Sequence, residues 1–217
     1  MATDIQSRHD LKQVNKIQEE KQIEFFKSIP WCLSLLTSSP LTIAQSYSRS
    51  IRNNLEDALI NRSLNKPDAI PHYITFYSPQ PLVSNDSLNG YITQLSSLIS
   101  LGPMVNGWEG ICHGGIVITL LDEVMGQLFS INKQIGKMRD GVVFTGYLNT
   151  RFKRPVKTGT KEKLRVVMVV ARLKKVEGRK YTCEGVVLGP KEGGKEDGEL
   201  EELTSAEAVF VQVKEKL

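Results

Sequence analysis

Cysteine is scarce in this chain. Cys32, Cys112 and Cys183 are the only three, far apart and odd in number. That pattern argues against a disulfide framework and for a reducing compartment. Histidine is equally scarce: His9, His72 and His113 show no ligand-like spacing and no cysteine pair accompanies them, so no metal site is expected. Long hydrophobic runs are missing as well. Stretches such as 166–171 fall far short of a bilayer span, and no membrane span is expected. The first residues have no apolar core like that of a secretory signal. Asp4, Asp10, Glu19, Glu20 and Glu24 make them too acidic for an ordinary mitochondrial presequence. The last residues read Lys-Glu-Lys-Leu, not the peroxisomal Ser-Lys-Leu. The expectation is a cytoplasmic protein, with a mitochondrial placement as the alternative.

What is present suits a soluble globular fold: 40% of residues are hydrophobic and 24% charged. The length of 217 residues allows one well-cored domain with an extension. The net charge of +4 hides an asymmetry. Residues 151–180 hold twelve Lys/Arg against Glu162 and Glu177, a local +10, so the remainder sums to −6. A basic strand region in an otherwise acidic chain suggests a polyanionic ligand.

Periodicity predicts a helix over residues 4–29, with Thr3 or Asp4 as cap and Pro30 as its end. A short helix is expected over 50–62, followed by an extended connector broken by Pro67, Pro71, Pro79 and Pro81. Strands are expected at 91–101, 142–153, 164–174, 179–188 and 203–213, with a helix over 114–129 and a polar loop at 189–202. Strand, helix, then four strands with hairpin-length links imply an α+β fold: an antiparallel sheet with one buried helix across it. The boundaries are a helical N-terminal extension, 1–66, and a main domain, 67–217.

The stretch Gly107–Gly126, GWEGICHGGIVITLLDEVMG, carries the chemistry. Gly114 and Gly115 permit a sharp turn and leave amide N–H groups uncovered at a helix start, where anions are stabilised. The helix that follows is apolar almost all round, yet Asp122 interrupts it; Asp is rarely buried unless paired or functional. Two readings stand for Asp122, a base or a buried acid satisfied by backbone or Thr. Glu123 projects about 100° away and reads as solvent-facing or structural. His113 reads as a ligand, a base or a residue that fixes the loop. Gly115 and Asp122 share a face but lie roughly 10 Å apart along the axis. If they act together, a two-fold axis must bring one chain's acid to the other's glycine. In the strand at 142–153, alternation places Phe144, Leu148 and Phe152 on one face and Thr145, Tyr147, Asn149, Arg151 and Lys153 on the other. Gly146 permits a bulge that would re-aim its neighbour. Arg151, Lys153, Arg154, Arg179 and Lys180 supply phosphate-binding capacity. The aromatics do not all share the basic face, which disfavours a nucleic-acid platform.

Taken together, His113-Gly-Gly, Asp122 and the run 145–156 (TGYLNTRFKRPV) resemble the hotdog-fold acyl-CoA thioesterases, nearest the thioesterase superfamily member 4 branch, with the phenylacetate-pathway thioesterases further off. The segment 175–181 (KVEGRKY) and Ile29-Pro-Trp-Cys resemble that branch too. The resemblance implies a hotdog fold, a five- to six-stranded antiparallel sheet wrapped around one long helix, and hydrolysis of an acyl-CoA to free acid and CoA. It implies Asp122 as general base or nucleophile, an amide at Gly115 or Gly114 as oxyanion donor, and Thr145 as a catalytic partner. It implies CoA contacts at Arg151, Lys153, Arg179, Lys180 and Tyr181, no cofactor, and a homodimer or dimer of dimers. The phenylacetate-pathway enzymes carry Asn six residues before the His, where this chain has Gly107; Asn106 is one position off. A non-catalytic acyl-CoA sensor is the alternative. A hydratase is disfavoured because no His follows His113.

Overall fold

The computed structural model describes residues 20–38, 40–44, 46–50, 55–79, 88–139, 141–191 and 198–213. Residues 4–19 of the predicted first helix, its capping residues and Pro81 lie outside these. Helix α1 is described over 20–27 and α2 spans Pro30–Thr37. The first helix ends before Pro30 as expected, but a second, unexpected helix opens there: Pro30 occupies the first turn of α2, where its missing N–H costs nothing. Of the helix expected over 50–62, residues 51–54 lie outside the described residues, and what is described is a tight helical turn, Leu59–Ser63.

Seven strands form one antiparallel sheet in the order β1-β2-β3-β7-β8-β9-β6. They are β1 (Thr42–Ala44), β2 (Tyr73–Tyr77), β3 (Gln94–Leu101), β6 (Val142–Phe152), β7 (Arg165–Glu177), β8 (Lys180–Pro190) and β9 (Leu200–Val213). A separate hairpin, β4 (Asn106–Trp108) with β5 (Ile111–Cys112), leads into helix α3, Gly114–Gln134. The sheet is larger than the expected five to six strands because β1 and β2 join it. The proline-flanked stretch read as a connector contains Tyr73–Tyr77, a β-branched and aromatic run whose partners, on β3 and β1, are remote in sequence.

Helix α3 lies across one face of the sheet. Leu120, Leu121, Val124, Met125 and Leu128 are at most 1% exposed. They pack with Val169, Ala171, Cys183, Ala208 and Phe210 of the central strands. Gly185 permits the approach: a Cβ there would come within 2.9 Å of Leu121 and 3.2 Å of the Met125 sulfur. This apolar, 21-residue helix is long enough to cross a membrane by composition, and here its buried side is the core of the domain. The opposite sheet face is covered chiefly over β2, β3 and β7, with Ile43, Leu188 and Leu200 at the margin of the cover. There Phe26 of α1 and Trp31 and Cys32 of α2 pack on Ile74, Phe76, Leu98, Val166, Met168 and Val170. Alternate residues of β3 and β7 are thus apolar on both sides, as in a strand buried between two layers. A sheet wrapped around α3 is the hotdog arrangement.

Candidate active site

The glycine turn is organised by His113. Its backbone is extended at the N-cap of α3, and its Nδ1 accepts a hydrogen bond from the Gly115 N–H at 3.0 Å. The proton of the neutral ring therefore sits on Nε2. The amides of Ile116 and Val117 donate to the His113 carbonyl at 2.9 and 3.1 Å. Of the first amides of the helix, that of Gly114 has no acceptor among the described residues. Such an orphan donor at the positive end of a helix dipole is suited to a developing oxyanion.

Asp122 is half-buried two turns along, and its Oδ1 accepts a hydrogen bond from Thr145 Oγ1 at 2.6 Å. Simple alternation misplaced Thr145. The β6–β9 register shifts between Thr145 and Tyr147, a bulge centred on Gly146. The extra residue inverts the alternation, so Thr145 faces α3 together with Leu148 and Phe152, while Phe144 does not share their face. Without the bulge, the hydroxyl would have pointed away from the acid.

Glu123, expected to be solvent-facing or structural, serves the fold. It is half-buried, and its hydrogen-bond partner is Ser48. Burial, with Asp57 and Asp122 nearby, pushes its carboxyl up to about 7 from the ordinary 4.5, against the lowering effect of that bond. One turn on, buried Gln127 donates to Ser46 Oγ at 2.7 Å and to Tyr73 Oη at 2.8 Å and accepts from Thr75 Oγ1 at 2.5 Å. Ser46 and Ser48 bond each other at 3.1 Å. This closed polar network ties the 46–49 turn to α3. Nothing in the sequence pattern signalled it, because its members come from three distant segments.

The cations divide into two groups. Arg151 and Lys153 lie near the start of α3, since the Phe152 ring would touch a Cβ at Gly114 at 3.5 Å. Arg179 and Lys180 occupy the β7–β8 turn at the other end, where Gln212 binds the Arg179 and Arg139 carbonyls. The facing β9 positions, Thr204 for Phe152 and Val211 for Lys180, are about 23 Å apart at roughly 3.3 Å per residue. Lys153 pairs with Glu202 at 2.6 Å. Arg151 lines an outer-face groove of about 530 Å³ with Glu184 and Glu207. Tyr181 does not belong with these cations. It is 4% exposed, packs its ring 5.2 Å from that of Phe129, and donates to Gln212 Oε1 at 3.0 Å. Its strand position alternates with theirs and turns it into the core.

Asn106 lies directly across the hairpin from Cys112, brought there by a register shift between Asn106 and Trp108. Its Oδ1 accepts from Thr158 Oγ1 at 2.6 Å, which ties the carboxamide to the β6–β7 connection. Cys112 is buried, and burial pushes its thiol up to about 12, the reverse of what a nucleophile needs. Among the described residues, no group of His, Cys, Asp and Glu has a geometry that would hold a metal.

Residues 109–188 match the sequence model of the thioesterase superfamily. Verlamelin biosynthesis protein B of a Lecanicillium species is 36% identical over 86 residues, covering 39% of this chain and 36% of its own length. An acyl-coenzyme A thioesterase of Bos taurus is 35% identical over 79 residues, covering 36% of this chain and 27% of its own. The chain thus spans about a third of the length of these relatives. Among solved structures, a thioesterase family protein from Silicibacter pomeroyi is 16% identical, with a TM-score of 0.45 over 56% of this chain and 78% of that one. A Bacillus halodurans protein solved with CoA is 27% identical, with a TM-score of 0.41 over 54% of this chain and 66% of that one. The stretch that holds the glycine turn, Asp122 and Thr145 lies within the residues that match the thioesterase-superfamily model.

Proposed function

We propose that this protein hydrolyses acyl-CoA thioesters at a site completed between two copies of the chain. The observation that carries this reading is the 2.6 Å bond between Thr145 and the half-buried Asp122, made possible by the Gly146 bulge. Thr145 fixes one carboxylate oxygen and leaves the other to receive a proton from water. That water attacks the thioester carbonyl carbon, and the C–S bond breaks as the tetrahedral intermediate collapses. The CoA thiolate leaves and takes the proton held by Asp122. Direct attack by Asp122 would pass instead through an anhydride that water then opens.

A single helix cannot supply both halves of the site, because Gly115 and Asp122 are roughly 10 Å apart along it. A two-fold axis that sets two β6 edges antiparallel brings the partner subunit's Gly114 amide toward Asp122. The same axis brings the partner's Arg179 and Lys180 toward Arg151 and Lys153, joining cations that one chain keeps apart. The exposed Phe144, Tyr147 and Phe152, 57%, 52% and 50% accessible, are the apolar surface such a pairing covers.

The test is thiol release from a panel of acyl-CoA substrates, with CoA binding measured alongside. Asp122→Asn abolishes turnover and leaves CoA binding largely intact. Unchanged hydrolysis in that variant refutes the assignment. Binding without thiol release by the wild type makes the protein an acyl-CoA sensor instead.

A further inference from the structure

Nothing in the described structure requires a glycine at position 126 of α3. Gly126 lies in the interior of a 21-residue helix, where glycine costs about 1 kcal/mol relative to alanine. Its φ is not positive, so no backbone conformation demands it. Close packing does not demand it either. A Cβ at Gly126 would meet no atom within 4 Å, whereas one at Gly185 would collide with Leu121. The adjacent Met125 and Gln127 are both buried, yet Gly126 itself is half-exposed. It follows Asp122 by four residues, about 6 Å along the axis and roughly 40° around it, on the same side of the helix.

We infer that Gly126 is a specificity-determining residue, whose missing side chain leaves room for the acyl group of the substrate beside Asp122. This rests on the thioesterase reading above. A thioester carbon at Asp122 puts the first acyl carbons within a turn of that residue, and Gly126 lies one turn on, on the same side of the helix. A side chain placed there occupies the volume of the first acyl carbons past the carbonyl, and a close-packed site rejects even one surplus methylene.

Gly126→Ala and Gly126→Leu are compared with wild type on acetyl-, hexanoyl- and palmitoyl-CoA, with the oligomeric state measured by sedimentation. The ratio of palmitoyl to acetyl kcat/KM falls about tenfold or more in Gly126→Leu and by less in Gly126→Ala, since methylene-sized changes in a pocket are worth about 10- to 200-fold. Both variants keep the wild-type assembly. An unchanged ratio overturns the inference. So does an equal loss on all three substrates with dissociation of the oligomer, which would assign the gap at Gly126 to contact between subunits. If wild type releases thiol from none of them, it is the thioesterase reading that fails, a result separable from any change in ratio.

Discussion

The two edges of the sheet are built on opposite principles. The β1 edge is three residues long, half-buried, and held beside β2 in the layer that also includes α1 and α2. A short, covered edge offers little to another chain. The β6 edge is eleven residues long and presents Phe144, Tyr147 and Phe152 to solvent. An edge of that length with aromatic side chains is a liability in a monomer and an asset in a dimer. Thr145, the partner of Asp122, sits on this edge. The difference teaches that the N-terminal segment closes one side of the fold, while the pair proposed for catalysis, Asp122 and Thr145, lies where the fold remains open.

The sharpest way to break this contrast is a charge on each edge. Phe144→Glu leaves the folded chain close to wild-type stability, because the ring is 57% exposed, but it dissociates the oligomer and removes activity by about a hundredfold or more. Sedimentation and thiol release check this; an active monomer would refute the composite site. Ile43→Glu on the β1 edge leaves assembly unchanged and lowers thermal stability, since Ile43 packs on the cluster beneath α1 and α2.

Next in size is Trp31→Ala. Trp31 is 7% exposed over the apolar outer face, and its truncation costs roughly 3–5 kcal/mol in denaturant unfolding, with assembly retained. A loss confined to catalysis would show that the N-terminal segment is not part of the core. Thr145→Ala removes the hydroxyl that orients Asp122 and lowers kcat about ten- to a hundredfold with KM little changed. An unaffected kcat would make the 2.6 Å bond a structural one.

The smallest effect belongs to Glu123. Its folded pKa, about 7, lies above the ordinary 4.5, so the folded chain binds more protons than the unfolded one between those values. Its contribution to stability is therefore present below pH 4.5 and lost as pH rises toward 7. His72 acts in the opposite sense. Burial, with Arg49 nearby, lowers its pKa from 6.5 to about 4, so its contribution is lost as pH falls through that window. The difference in Tm between wild type and Glu123→Gln isolates the first effect: wild type loses Tm relative to the variant from pH 4.5 to 7. A constant difference across that range would contradict it.

Much of the site was legible before the fold. Gly114, Gly115 and Asp122 belong to one helix, and their separation, on which the proposal of a second chain rests, follows from helical rise alone. The strands expected at 142–153 and 203–213 fall within one and three residues of Val142–Phe152 and Leu200–Val213. Strands β1 and β2 were not legible, because short segments flanked by proline carry little periodicity and gain stability only from distant partners. Helix α2 was not expected for a related reason: the proline that follows one helix can also open the next.

The amino-acid sequence by itself determined the helix that opens on a glycine pair, the acid within it, the hinge at Gly146 and the basic composition of 151–180. Each depends on local backbone freedom or on the period of one element. Tertiary structure alone decided that Thr145 faces Asp122, that Tyr181 is buried, that the cations divide between two ends, and that Glu123 and Gln127 hold the 46–49 turn. Those outcomes depend on register and on contacts between segments far apart in the chain. A one-residue shift in pairing reverses the face of every side chain beyond it, and no local pattern records that shift.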